Sequence, residues 1–146
     1  MPADLSLIAW SGGAAHLESV ARYLTRVPAG QVEYLAVRTP DGQIVAKGGI
    51  DYHEHPGAGT ITQLAAKVTG QGLGTRLIQA MEDRMRARRV STAICGVEPA
   101  NTRARALYER LGYRECGSEE ASWESQDATG ERYTKHTTIV LLSKTL

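Results

Sequence analysis

Phenylalanine is absent from the 146 residues, so Leu, Ile, Val, Tyr and Trp must fill the core, which limits packing choices and excludes no function. Only two cysteines occur, Cys95 and Cys116. They allow at most one disulfide, and both fall in segments of strand character, where a free cysteine behaves as a small buried hydrophobe. A catalytic thiol would need an electropositive, partly exposed setting that sequence does not display. No apolar run is long enough to span a bilayer, and Met1–Trp10 lacks the basic start and apolar centre of a secretion signal. The expectation is a cytoplasmic protein with no membrane partner. Charges nearly cancel, to +1, which removes any global drive toward nucleic acid. One arginine-rich stretch, Arg84, Arg86, Arg88 and Arg89, has no interleaved aromatics for base stacking. Its place at the end of a helical pattern is explained by the helix dipole and Glu82–Arg86 pairing. The length and a 42% hydrophobic content fit one domain over residues 1–146.

What the chain does have is glycine at telling positions. The run Thr69-Gly70-Gln71-Gly72-Leu73-Gly74-Thr75 follows the β-prone Thr60–Leu64. It precedes Leu73, Leu77, Ile78, Met81 and Met85, which recur at helical spacing. Glycines joining a strand to a helix can take positive φ and let a ligand approach the backbone. The first turn of the helix offers N–H groups without intrahelical partners at the positive end of the dipole. The combination is an anion cradle suited to phosphate. A Walker loop is excluded because no lysine follows Gly74, and the dinucleotide fingerprint fails because Thr75 stands where its last glycine belongs. A glycine turn that merely joins strand to helix remains an open reading of this run taken alone.

Along the chain, Leu5–Trp10 reads as a strand, and His16–Leu24 as a helix with Leu17, Val20 and Leu24 on one face. Val32–Thr39 and Gln43–Tyr52 read as strands joined by the turn Thr39-Pro40-Asp41-Gly42. A third strand around Thr60 follows the turn at His53–Gly59, then the helix Gly72–Arg88 and the strand Thr92–Glu98. Asn101 suits the N-cap of a helix carrying Ala104, Leu107, Tyr108 and Leu111, which Gly112 ends. Tyr113–Gly117 reads as a short strand and Thr137–Leu142 as a final one. Residues 118–136 stay unassigned apart from a turn at Asp127–Gly130, with Trp123 on a strand extension or a flap. The predicted order is β-α-β-β-β-α-β-α-β-β. It describes an α/β (α+β) domain with a mixed, mostly antiparallel central sheet of about 6–7 strands and helices on both faces.

Together, Gly70-Gln71-Gly72-Leu73-Gly74, the strand ending Val97-Glu98-Pro99-Ala100-Asn101, and Arg103–Tyr113 with its Ala106-Leu107-Tyr108-Glu109 core resemble the GNAT superfamily of acyl-CoA-dependent N-acetyltransferases. The family motif Arg/Gln-x-x-Gly-x-Gly/Ala maps onto Thr69–Gly74, and the element order covers nearly the whole chain. The resemblance implies acetyl-CoA as cosubstrate, its pyrophosphate held by backbone N–H groups of Thr69, Gly70, Gln71, Gly72, Leu73, Gly74 and Thr75. It implies pantetheine against the strand edge at Leu64, Ala65 and Ala66, where an N–H polarises the thioester carbonyl. Asn101 would lie near the pantetheine, and Tyr108 would both contact the cofactor and protonate the departing thiolate. Two departures are visible: Thr69 stands where the family has Arg or Gln, and the segment between Ala66 and the glycines is about two residues short. A homodimer through the sheets is compatible with the resemblance.

Read from residues alone, Tyr108 is equally a core aromatic between Leu107 and Leu111, and Asn101 a bare helix cap. An alkylamine acceptor is mostly protonated near neutrality, so a base or water relay is required. Glu33, Asp51, His53, Glu54 and Glu98 are the candidates, with Glu98 and His53 placed in the catalytic set beside Tyr108. His53-Glu54-His55 is too crowded on one turn to converge on a metal, and no metal site is expected. Trp123 and Tyr133 either line the acceptor pocket or cap the core. The expected reaction is direct transfer of acetyl to a primary amine, on a small molecule or a peptide. A non-catalytic acyl-CoA-binding domain of the same fold is the alternative.

Overall fold

The computed structural model describes residues 2–146, with side chains from Leu5 onward. A 3-10 helix over Pro2–Ser11 leads into α1 (Ala14–Leu24), β1 (Val32–Arg38), β2 (Ile44–Asp51) and β3 (Gly59–Ala66). Then come α2 (Leu73–Ala87), β4 (Thr92–Val97), α3 (Thr102–Arg110), β5 (Arg114–Gln126) and β6 (Arg132–Thr145). The six strands form one mixed sheet in the order β1-β2-β3-β4-β6-β5, parallel only between β3 and β4. From α1 onward the predicted order holds. No helix among the described residues is long and apolar enough to cross a membrane.

The first predicted strand is a correction, because Leu5–Trp10 lies in the 3-10 helix. Leu5 and Ile8 pack inward while Leu7 is exposed, a spacing of three that suits 3-10 rather than the two-residue period of a strand. Trp10 anchors the segment, its indole N–H donating to the carbonyls of Leu7 and Ile44.

Two cores lie on opposite faces of the sheet. On one, Leu77, Ile78, Met81 and Met85 of α2 cover Ala46, Ile50, Ile61 and Cys95, joined by Tyr108 and Tyr113. Each such buried side chain contributes roughly 1.5–3 kcal/mol. The helix lies so close that a Cβ on Gly48 would fall 2.7 Å from Met81 Cε. On the other face, Ile8 and Val20 meet Ile44. Ile44 and Ala46 face opposite ways although two apart, because Val37 pairs with Ala46 and Arg38 with Ile44, leaving Val45 bulged.

The unassigned stretch 118–136 is the second correction. It belongs to a long hairpin in which β5 and β6 stay in register out to Gln126–Arg132, closed by the Asp127–Gly130 turn. Its polar sequence hid the strands because most residues of this ribbon are exposed or only half-buried. Cys116 is a third correction: it is exposed, in the bulge where the register shifts between Glu115 and Gly117. Cys95 is buried as expected, and burial pushes its thiol up to about 12.

Candidate active site

The sheet opens between its two parallel strands. β3 and β4 pair at Gly59–Ala93, Thr60–Ile94 and Ile61–Cys95 and no further, while Thr62–Ala66 stays bonded to β2 on its other side. Gly96 and Val97 pair only with β6. Past Ile61 the facing edges therefore carry backbone N–H and C=O groups with no strand opposite, the geometry that lets an extended ligand take the place of a strand.

A bulge in β3 sits at the vertex of this opening. Lys47 pairs with Ala65 and Gly49 with Thr62, so Gln63 and Leu64 together oppose Gly48. Gln63 takes φ 55, uncommon for a residue with a side chain. Such strain persists only where the surroundings fix it. Here the Gln63 side-chain amide accepts from Tyr34 Oη at 2.9 Å and donates to Ser19 Oγ at 2.9 Å, and the Gln63 backbone carbonyl accepts from Lys47 Nζ at 2.7 Å.

At the open end, the chain leaves β3 through an exposed loop in which Gly70 (φ 78) and Gly72 (φ 73) are left-handed. A Cβ on either would meet open space, so backbone conformation, not crowding, calls for glycine there. Gly72 caps α2 with no side-chain acceptor, whereas Asn101 caps α3 by accepting from the Ala104 N–H at 3.1 Å. The first N–H groups of α2 are thus left for solvent or a ligand. The start of α2 packs against the second half of α3, since a Cβ on Gly74 would lie 3.0 Å from Leu107 Cδ2.

The opening runs into a cleft of about 1320 Å³ whose far wall is α1 and whose roof is the β5–β6 hairpin. The hairpin tip is fastened to α1: Arg132 clasps Glu18 through two 2.8 Å contacts, and Gln126 Oε1 accepts from the Ala15 N–H at 3.4 Å. Tyr108 lines the cleft from the α3 side and is 5% exposed. It packs edge-on to Tyr113 with ring centroids 5.3 Å apart, and its hydroxyl has no hydrogen-bond partner among the described residues. Burial first, and then the neighbouring Cys95, holds this phenol well above its ordinary value, hence protonated.

A family model described as the Acetyltransferase (GNAT) family matches residues 9–113. The chain belongs to that family. No curated protein matches it. Among solved structures it is similar to the ribosomal-protein-alanine N-acetyltransferase of Brucella melitensis, at 20% identity and TM-score 0.72 over 100% of this chain and 96% of that one. A GNAT family acetyltransferase of Elizabethkingia anophelis with acetyl-CoA bound matches at 18% identity and TM-score 0.67, over 88% and 82% of the two chains. The PaiA N-acetyltransferase of Thermoplasma acidophilum, in complex with coenzyme A, matches at 12% identity and TM-score 0.69, over 99% and 94%. At these identities the likeness is one of fold.

Within this GNAT domain the sequence-derived residues divide. Leu64, Ala65 and Ala66 lie on the unpaired edge of β3, and Thr69–Thr75 forms the loop and first turn of α2. Asn101, Tyr108 and Glu98 line the cleft together, Glu98 tied to Lys135 Nζ at 2.9 Å. His53 is not brought in: it is exposed, outside the cleft lining, and only its backbone N–H is engaged, by Asp51. Asp51 is buried against Arg26; burial would raise its carboxyl, but Arg26 and the N–H groups of His53 and Glu54 hold it below its ordinary value. Glu33 faces α2, engaged by Arg84, Arg88 and Tyr52. Neither Asp51 nor Glu33 reaches the cleft. Glu54 lines it, with its carboxyl raised by burial. Trp123 lines the cleft beneath Lys135, whereas Tyr133 is 48% exposed and does neither job expected of it.

Sequence reasoning missed the polar groups on the α1 side. His16 lines the cleft with Nε2 2.8 Å from the buried Lys47. His55 bridges Thr60 Oγ1 at 2.8 Å and Glu119 Oε2 at 3.2 Å. The one local signal for Lys47 was that it is the single charged residue within Ile44–Ile50.

Proposed function

We propose that the protein moves the acetyl group of acetyl-CoA to a primary amine by direct attack within a ternary complex. The observation that carries this reading is the opening of the sheet past Ile61–Cys95, flanked by the uncapped start of α2 and ending beside the unpartnered hydroxyl of Tyr108. The N–H groups from Thr69 to Thr75 hold the pyrophosphate, and the free edge of Leu64–Ala66 pairs with pantetheine. An N–H beside the Gln63 bulge donates to the thioester oxygen, an interaction worth roughly 3 kcal/mol when aimed at the developing oxyanion. The amine enters beneath the hairpin, its nitrogen attacks the carbonyl carbon, and the tetrahedral intermediate collapses with release of the thiolate. Tyr108 gives that sulfur its proton. The acceptor belongs to a small molecule or a peptide.

Acetyl-CoA should raise the melting temperature, because a ligand that binds only the folded state stabilises it. Thiol should be released when acetyl-CoA is mixed with a panel of amines. Binding without release for any acceptor would favour the non-catalytic alternative, to which Thr69 points by supplying a hydroxyl where the family has Arg or Gln. No melting shift at all would remove the cofactor.

Gly72→Val tests the cradle separately. A β-branched residue at φ 73 costs about 1–2 kcal/mol in the left-handed region. The unliganded protein should melt a few degrees lower and acetyl-CoA affinity should fall about tenfold, read by melting curves across a ligand titration. Unchanged affinity would place the phosphates elsewhere.

A further inference from the structure

Lys47 is 1% exposed, yet no carboxylate among the described residues pairs with it. Its Nζ lies 2.7 Å from the Gln63 carbonyl and 2.8 Å from His16 Nε2, with the Tyr34 ring 6.0 Å away. A buried ammonium with no anion to balance it is expensive, so burial brings Lys47 down to about 8, and above that pH the neutral amine is its major form. The same surroundings suit that form: one N–H still donates to Gln63, and the lone pair accepts from the imidazole. His16 reaches from Lys47 into the cleft, and its Nδ1 has no hydrogen-bond partner among the described residues. Burial first, then Lys47, holds the imidazole below its ordinary value.

We propose that His16 and Lys47 form a relay that removes the proton from the acceptor amine. The inference rests on the acetyltransferase reading. An ammonium acceptor, R–NH3+, transfers a proton to His16 Nδ1 while His16 Nε2–H passes its own to the lone pair of Lys47. The acceptor is left as R–NH2 and Lys47 as an ammonium. After the product leaves, the proton returns by the reverse path to water in the cleft. His16 is the group that touches the acceptor, and Lys47 acts through it. Other titratable groups border this part of the cleft: Arg22 and Tyr23 on α1, Glu54 and His55 before β3, and Glu119, Glu124 and Asp127 on the hairpin, while Tyr34 faces Lys47 from β1.

The test compares two acceptors, an alkylamine that is protonated at neutral pH and methoxyamine, which is not. In the native protein, kcat/KM for the alkylamine should rise with pH through an apparent pKa near 8, at a position that does not follow the basicity of the alkylamine chosen. In Lys47→Met that limb should disappear from this range, because His16 alone titrates lower. The ratio of alkylamine to methoxyamine turnover should fall about 100-fold, the scale of a lost general base. His16→Gln, at a half-buried position on α1, should give the same change of ratio and serves where Lys47→Met does not fold. An equal loss with both acceptors would mean that Lys47 merely shapes the Gln63 bulge, and an unmoved limb would likewise overturn the relay. Native protein that transfers acetyl to neither acceptor refutes the acetyltransferase reading itself, whereas native transfer with an unchanged ratio in both variants refutes only the relay.

Discussion

Tyr108→Phe should lower turnover about 100-fold while leaving acetyl-CoA affinity within about twofold, a loss on the scale of a single general acid. The asymmetry follows from where the hydroxyl sits. The ring fills a core position, edge-on to Tyr113 and packed among residues facing α2. Phenylalanine keeps that ring, and the oxygen it removes has no hydrogen-bond partner among the described residues. What is lost is the proton at the place where sulfur leaves. Burial keeps this phenol protonated throughout the physiological range, so it is always available as a donor and should add no alkaline limb to the rate profile there. The measurement pairs single-turnover thiol release with equilibrium binding of acetyl-CoA. Turnover that survives the substitution would take Tyr108 out of the mechanism. A matching loss of affinity would instead make it a wall of the cofactor groove.

The parts of this reading that were legible in the sequence are those where local physics and tertiary structure agree. Gly70 and Gly72 announced positive φ, and Leu77, Ile78, Met81 and Met85 announced one buried helical face. Asn101 announced a cap, and each lies where expected. The N-terminal segment misled because Leu5, Leu7 and Ile8 suit a strand as well as a 3-10 turn, and docking against Ile44 decided between them. The hairpin was invisible for the opposite reason. Neither face of these strands is deeply buried, so no apolar alternation marks residues 118–136, and long-range pairing of Ser118 with Val140 and of Trp123 with Lys135 supplies what local pattern lacks. The candidate bases divided in the same way. His53 and His55 are indistinguishable on a turn in sequence, but only His55 turns toward Glu119 and the cleft. His16 and Lys47 lie 31 residues apart and become a pair only when α1 is laid across β2.

Lys144→Met should lower stability by about 3 kcal/mol, seen as a fall in melting temperature on the order of 10 °C. Glu82 on α2 has a side chain only 4% exposed, and it accepts from Lys144 Nζ at 3.0 and 3.1 Å and from Tyr113 Oη at 2.8 Å. Arg86 stands off at 3.9 Å. Taking Lys144 away leaves the carboxylate in the core with the tyrosine hydroxyl and that distant guanidinium, and the cost is mainly that of a desolvated charge without its counterion. Removing both charges, in Lys144→Met with Glu82→Gln, should therefore recover more than half of the loss, because the amide needs no counterion and can still accept from Tyr113. The double-mutant cycle isolates this coupling. Tyr113 carries the consequence toward the cleft, since the ring that Glu82 holds by its hydroxyl is the one against which Tyr108 packs. If the single and double variants melt together, then packing of the lysine stem over Tyr113, rather than its charge, ties β6 to α2.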